Sequence, residues 1–375
     1  MNHKKMKGLL LIALMAVSGL AGCLGTDDDE ETESTMDASD GGYTYASNVD
    51  NHRSLMKDLC DIKTAASAYD WTTAKDIYMN GKNAQKSDDS FRTLAGFAAA
   101  DGKNHGYDTY YNQSGSVDAH IMAALDGTGD FAGTSDTVRY QGIAKLTVNM
   151  GMVAYTIHEL NSAISKADAG NVDNDSGAPH NWDEGWAFFH GPDEDYGCSP
   201  AKVMEKRAGD FGTTNAAGVA NTFAAAEAAM VDGLAALQAS DSAGYTAAAE
   251  TVVKNLIITY SQAVLKYTSK MDSNESGEKY QAEGYAFWKA IEAYAADYTN
   301  ACIDVNGNAT YVGNSDETAC ADGETFDGHY GADKINEILN LQDTSQLGTS
   351  HDVTDHLEHV WAHYGITSED IGTYA

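Results

Sequence analysis

Between residues 141 and 166 the apolar side chains recur at three- and four-residue steps: Ile143, Leu146, Met150, Val153, Ile157, Leu160 and Ile164. Only one face of a helix can collect such a series. The segment 250–271 repeats the pattern with Val253, Leu256, Ile257, Val264 and Met271. Strand-like alternation is scarce, and only 3 prolines stand in 375 residues to interrupt helices. These features predict an all-α protein of packed antiparallel helices, with long polar loops at about 101–116, 168–180, 192–200 and 300–330. At 43% hydrophobic residues, the chain can bury a sizeable core as one large domain or two smaller ones.

The N-terminus has a different pattern. Lys4, Lys5 and Lys7 precede an apolar run from Leu9 to Val17 that is too short to span a bilayer. Leu20-Ala21-Gly22-Cys23 follows, and small residues before a cysteine are what a lipoprotein signal peptidase cuts. We expect residues 1–22 to be a lipoprotein signal peptide and Cys23 to carry lipid, so that the protein is exported and anchored to the extracytoplasmic face of a membrane. The alternative is an ordinary secretory signal with an incidental cysteine. Residues 23–48 contain TDDDEETESTMDASDGG and are expected to be an acidic, disordered tether. The remaining cysteines are Cys60, Cys198, Cys302 and Cys320. In an exported chain an even number suggests disulfides. Cys302 and Cys320 flank a Gly/Asn/Asp-rich loop and are expected to pair locally, which leaves Cys60 for Cys198. The absence of C-x-x-C spacing argues against a thiolate metal site.

The formal net charge is −33. This argues against nucleic acid as a partner, because phosphate binding needs clustered Lys and Arg. Such acidity suits the capture of cations. The sequence carries no G-x-S-x-G elbow, no P-loop and no G-x-G-x-x-G after a strand, so a non-enzymatic role is expected.

A weak internal repeat is visible. TVNMGMVAYTIHELNS followed by WDEGWAFF resembles ITYSQAVLKYTSKMDS followed by QAEGYAFW. Tyr155 falls on Tyr267, His158 on Lys270, Glu184 on Glu283 and Phe188 on Phe287. A duplicated helical unit explains this, with halves at 49–210 and 211–375 packed as one body. Chance likeness between Ala-rich helices is the alternative.

Three groups of residues could hold a ligand. Asp183 and Glu184 stand among Trp182, Trp186 and Phe188, and a carboxylate beside large aromatics is costly unless it meets a proton, a base or a cation. Glu283 and Tyr267 are the matching positions of the second half. Tyr155, His158 and Glu159 share one side of a helix, and phenolate, imidazole and carboxylate make a hard ligand set suited to Fe(3+). Any one of these tyrosines could equally be a polar aromatic of an exported protein, since the chain holds 21 Tyr against 9 Phe. Arg92 and Arg139 could offer a planar fork to an anion such as carbonate. His356, His359 and His363 lie on one face of a terminal helix and form a second candidate metal cluster. They do not form H-E-x-x-H, so a zinc-protease reading lacks its general base, and a solvated histidine-rich helix is the equal alternative to a metal site.

WTTAKDIYMNGKN (71–83), FRTLAGFAAAD (91–101) and HNWDEGWAFFHG (180–191) resemble the Fe-assimilating, low-iron-inducible periplasmic proteins of algae, which are related to the phytotransferrins. The resemblance spans roughly 50–300. It implies capture of ferric iron at the cell surface, with carbonate as a synergistic anion and a membrane iron transporter or reductase as the receiver. A looser likeness is to imelysin-like proteins, but their G-x-H-x-x-E motif is not reproduced: Gly151 is too far from His158, and Glu159 follows His158 directly. The rival readings are a metal-dependent hydrolase using His356–His363 and a structural or adhesion lipoprotein.

Overall fold

The chain turns sharply where an aspartate can cap the next helix. Asp70 accepts the Thr73 N–H and opens a helix at Trp71, and Asp241 accepts the Gly244 N–H and opens one at Ser242. Each aspartate follows a residue in the left-handed region, Tyr69 at φ 60° and Ser240 at φ 56°. The result is two helical hairpins built with the same turn. Ser135 and Ser199 cap two further helices in the same way, and Pro200 occupies a first turn, where its missing N–H is not needed.

A computed structural model describes residues 34–375 apart from Asn104. The elements are β1 (Ser39–Asp40), β2 (Tyr43–Thr44), α1 (Asp50–Ser67), α2 (Trp71–Asn80), α3 (Leu94–Ala98), α4 (His105–Tyr111), α5 (Ser116–Asp126), α6 (Asp136–Lys145), α7 (Met152–Asp168), α8 (Ala178–Phe189), α9 (Pro200–Phe211), α10 (Asn221–Gln238), α11 (Ser242–Ser269), α12 (Gly277–Lys289) and α13 (Glu292–Ala295). Beyond them lie β3 (Asn300–Ile303), β4 (Ala309–Gly313), β5 (Thr325–Asp327), α14 (Tyr330–Ile338), α15 (Thr354–His363) and α16 (Ser368–Ile371). Among the described residues the protein is all-α apart from two small sheets. One is the β1–β2 hairpin, and the other is antiparallel with strand order β4-β3-β5. Two of the expected loops hold structure: α4 lies within 101–116, and the second sheet fills 300–330.

The helix expected over 141–166 forms with a π-helical turn, Leu146–Gly151, joining α6 to α7. Asn149 in that turn donates to the Lys145 carbonyl and accepts from Tyr260 Oη at 3.0 Å, which ties the irregular turn to α11. The core lies where α7 packs on α8 and where α11 packs on α10 and α12. Trp182, Trp186, Phe188, Phe189 and Trp288 are fully buried there. Burying each aromatic removes a large apolar area from water and contributes about 2–3 kcal/mol.

The expected tether departs from the prediction within its described part. Residues 34–48 are folded: β1 and β2 form a hairpin, Tyr43 is fully buried and Asp40 pairs with Arg53 at 2.7 Å. The acidic composition hid this, because Asp40 and Asp183 each find donors inside the fold. The predicted signal peptide and Cys23 lie outside the described residues. Both disulfides pair as expected, Cys60 with Cys198 and Cys302 with Cys320. The first ties α1 to the segment after α8, and the second closes a loop of the β3–β5 sheet.

Candidate metal centre

The sequence places Glu159 on α7 and Glu184 on α8, and the packing of those two helices turns them toward each other. Both are buried, at 4% and 7% exposure. They share a hydrogen bond. Asn181, one turn before Glu184, donates to Glu159 Oε2 at 2.6 Å and to Glu184 Oε2 at 3.0 Å. The other oxygen of Glu184, Oε1, meets two imidazoles: His52 Nε2 at 3.1 Å and His180 Nε2 at 3.2 Å. His52 comes from α1 and His180 from the first turn of α8.

Tyr155 stands one turn before Glu159. Its ring is sandwiched between Phe97, with centroids 3.4 Å apart, and Phe188, at 3.8 Å. Arg92 hydrogen-bonds Tyr155 and is itself fixed by Asn51 Oδ1, 2.7 Å from its Nε. His158 lies beside this group, 3.9 Å from Glu159 Oε1 and 3.4 Å from Ser162 Oγ.

The charges follow from this geometry. Burial, reinforced by the Glu184 carboxylate, holds the Glu159 carboxyl well above the usual range, so Glu159 keeps its proton and donates it to Glu184. Burial alone would raise Glu184 as well, but His52 and His180 hold it well below the ordinary glutamate value. Burial, with Arg92 nearby, pushes His52 well below the ordinary imidazole value. Burial also works against a charged His180, yet its contact with Glu184 outweighs that and raises it. Burial lifts the Tyr155 phenol, while Arg92 pulls the other way. The group therefore combines one carboxylate, one carboxylic acid, two imidazoles and a phenol, all oxygen and nitrogen donors. His52 Nδ1 and Asn181 Oδ1 are buried without a hydrogen-bond partner among the described residues.

The structure brings Tyr155, Glu159, Glu184 and Arg92 together, with His158 at the margin. It separates the other predicted residues from them. Asp183 faces the β1–β2 segment instead and accepts from Tyr43 Oη at 2.6 Å, Ser47 Oγ at 2.7 Å, and the Ala46 and Ser47 N–H groups at 2.9 and 2.8 Å. These four donors satisfy it, so it anchors the β1–β2 segment to α8. The Ser47 hydroxyl also contacts His180 Nδ1 at 2.9 Å, which joins the anchor to the centre. Arg139 donates to the Ala124 and Leu125 carbonyls and lies over the Trp71 ring at 4.5 Å, closing the end of α5. Tyr267 and Glu283 sit together in a separate cluster between α11 and α12, where Lys145 is 3.7 Å from Glu283.

The terminal histidines do not converge. His356 hydrogen-bonds Tyr311, and His363 stacks on Tyr298 at 3.6 Å. His359 lies 5.5 Å from the Tyr311 ring. Among the described residues, three His, Cys, Asp or Glu ligand atoms within 4.8 Å of one another occur at Cys302, Cys320 and Glu324, whose two sulfurs are already bonded to each other; no three of His52, Glu159, His180 and Glu184 reach that spacing in this arrangement.

Sequence reasoning missed His52. It stands in a helix start, Asp50-Asn51-His52-Arg53, with no local motif around it. His180 and Asn181 are inside the aromatic-rich block, and their spacing from Glu184, at i−4 and i−3 on a helix, was the available signal.

A family model described as "Fea1: Low iron-inducible periplasmic protein" matches residues 11–312. No curated protein and no solved structure matches the chain.

Proposed function

The chain belongs to the low iron-inducible periplasmic protein family, and from that premise we propose that it binds ferric iron outside the membrane for assimilation, at the cluster of His52, Tyr155, Glu159, His180 and Glu184. Iron is the cargo, and no covalent chemistry is performed on it. The observation that carries the reading is the pair Glu159–Glu184, two buried carboxyl groups pressed together beside two imidazoles and a phenol. Two such groups are costly in a protein interior unless a proton or a cation lies between them. A small, highly charged ion that prefers anionic oxygen would replace the proton. It would also stabilise the phenolate of Tyr155 at neutral pH. Arg92, beside Tyr155, offers a guanidinium to a carbonate that completes the shell. The segment that Asp183 anchors supports His180 through Ser47, the kind of outer contact that orients a metal-binding imidazole.

The lipid anchor at Cys23 would hold this centre near a membrane transporter or reductase that takes the iron. The experiment is titration of the signal-free protein with chelated ferric iron at neutral pH, with and without bicarbonate, followed by visible absorbance from tyrosinate charge transfer. Stoichiometric uptake that needs bicarbonate is the expected result. If no stoichiometric uptake occurs, the function fails. If uptake survives joint substitution of Tyr155, Glu159 and Glu184, the site assignment fails.

A further inference from the structure

Around Tyr267, Glu283 and Phe287 of the second half lies a cluster laid out like the one around Tyr155, Glu184 and Phe188, but ringed by cations that come mainly from the first half. Tyr267 stacks on Phe287, with centroids 5.4 Å apart and planes at 7°, as Tyr155 stacks on Phe188. Glu283 precedes Phe287 by one helical turn, as Glu184 precedes Phe188. Arg207 lies over Tyr267, its Cζ 5.3 Å from the ring centre, in the role Arg92 takes beside Tyr155. The neighbours then diverge. At the repeat spacing, Glu159 is replaced by Met271 and His180 by Lys279. Where two imidazoles meet Glu184, an ammonium meets Glu283: Lys145 Nζ at 3.7 Å.

Cations gather at this point of a chain that has 23 Lys and Arg against 56 Asp and Glu. Lys63, Lys206 and Arg207 all lie close enough to act on Lys145. Lys145 Nζ and Arg207 Cζ stand 5.9 and 5.7 Å from the centre of the same ring, Phe287. The nearby acids do not neutralise this group. Glu283 is a single carboxylate, Asp210 is shared between Arg207 at 2.9 Å and Lys266 at 2.8 Å, and Glu205, which acts on Lys206, is paired with Lys202 at 2.5 Å. Arg207 is only 6% exposed; it pairs with Asp210 and hydrogen-bonds the Tyr267 hydroxyl, yet its Nε and Nη1 meet no acceptor at full hydrogen-bond geometry among the described residues. Buried guanidinium N–H groups left unmet are costly, and they point to an acceptor that the packed helices do not supply.

We propose that Arg207, Lys145 and Lys206 form a second site that binds a small multivalent oxyanion, of the phosphate or polycarboxylate class. Arg207 supplies fixed donors from the interior, Lys145 a half-buried ammonium beside Glu283, and Lys206 an exposed one. Burial, joined by Lys63, Lys206 and Arg207, pushes the Lys145 ammonium down to about 8 against the pull of Glu283, a repulsion that a bound anion relieves. This site is independent of the iron centre and does not rest on its assignment.

The test is calorimetric titration of the signal-free, iron-free protein with inorganic phosphate and, separately, with citrate, with sodium chloride at matched ionic strength as the reference. Saturable binding of either anion is expected. Phosphate alone would mark a compact inorganic ligand, and citrate alone a polycarboxylate. Lys206→Glu, on an exposed residue that leaves the fold intact, and Lys145→Met should each weaken binding by roughly tenfold or more, while Lys206→Arg should keep it. Glu184→Gln should leave anion binding unchanged, and Lys206→Glu should leave ferric uptake unchanged, so failure of one site is read apart from failure of the other. No heat above the chloride reference for either anion overturns the proposal. Equal affinity in the wild type and Lys206→Glu overturns it too.

Discussion

Glu159 donates its proton to Glu184 across the α7–α8 interface, so that one buried glutamate is neutral and its neighbour is charged. The two are not interchangeable. Glutamine at 159 keeps a donor toward Glu184, whereas glutamine at 184 removes the anion that His52 and His180 share. We expect Glu159→Gln to change folding stability by less than about 1 kcal/mol, and Glu184→Gln to cost about 2–3 kcal/mol. Both should weaken ferric binding on the order of 100-fold or more, since each removes an anionic oxygen. Denaturant unfolding and iron titration of the same samples separate these effects. Equal destabilisation by the two variants would contradict the assigned proton position.

Iron binding should release protons. At neutral pH the iron-free centre holds one on Glu159 and one on Tyr155, both raised by burial. A ferric ion bound to both displaces both. The affinity therefore rises with pH and falls as acid returns the protons, and the release is about two protons per iron from these two groups, with a further contribution from His180, whose imidazole Glu184 raises. A pH-stat titration in weak buffer measures this number. Glu159→Gln and Tyr155→Phe should each lower it by about one. Release unchanged in either variant would remove that residue from the shell.

The helices and half of the candidate centre could be read from the chain because both depend on local spacing. Tyr155 and Glu159 fall one turn apart, and Glu184 stands inside a run of aromatics that had to be buried. His52 could not be read, because only the packing of α1 against α8 brings it to Glu184, across more than a hundred residues. Asp183 misled for a related reason. A carboxylate among tryptophans must find partners, but sequence does not say whether they are a metal or the four donors of a distant hairpin. Arg139 was one of four arginines and looked available, yet the end of α5 had already taken it.

Asp183 gives a prediction that distinguishes an anchor from a ligand. All four of its contacts are donors, so Asp183→Asn turns an amide N–H₂ against some of them and should cost about 2–3 kcal/mol at pH 7. Ferric stoichiometry of the folded variant should be unchanged. The pH dependence has a definite sign. Burial lifts the Asp183 carboxyl from 3.8 to about 6, despite the hydrogen bonds it accepts. A carboxyl that is raised in the folded state contributes its stability fully below the unfolded value, and loses it as pH climbs through the folded one. The gap between wild type and Asp183→Asn should therefore be wider at pH 4.5 than at pH 7. Paired urea unfolding at the two values checks this, and a gap that narrows in acid would refute it.

The Cys60–Cys198 disulfide lies on the same helix that delivers His52. Its cysteines are 138 residues apart in sequence, against 18 for Cys302 and Cys320. Loop-closure entropy grows with that separation, so Cys60→Ser with Cys198→Ser should cost about 4–5 kcal/mol, and the Cys302/Cys320 double serine variant about 3 kcal/mol. The functional consequences should differ more than the stabilities. Cys60 and His52 both belong to α1, eight residues apart on that helix, so freeing one end of α1 loosens the imidazole held against Glu184. The Cys302–Cys320 loop belongs to the β3–β5 sheet, and among the described residues its side-chain contacts, such as Tyr311 with His356, do not include His52, Tyr155, Glu159, His180 or Glu184. At a temperature where both variants remain folded, the first should bind ferric iron more weakly and the second should match the wild type. Denaturant unfolding gives the stabilities, and iron titration of the folded proteins gives the affinities. Equal iron affinity in the two variants would show that α1 holds His52 in place without its covalent tie.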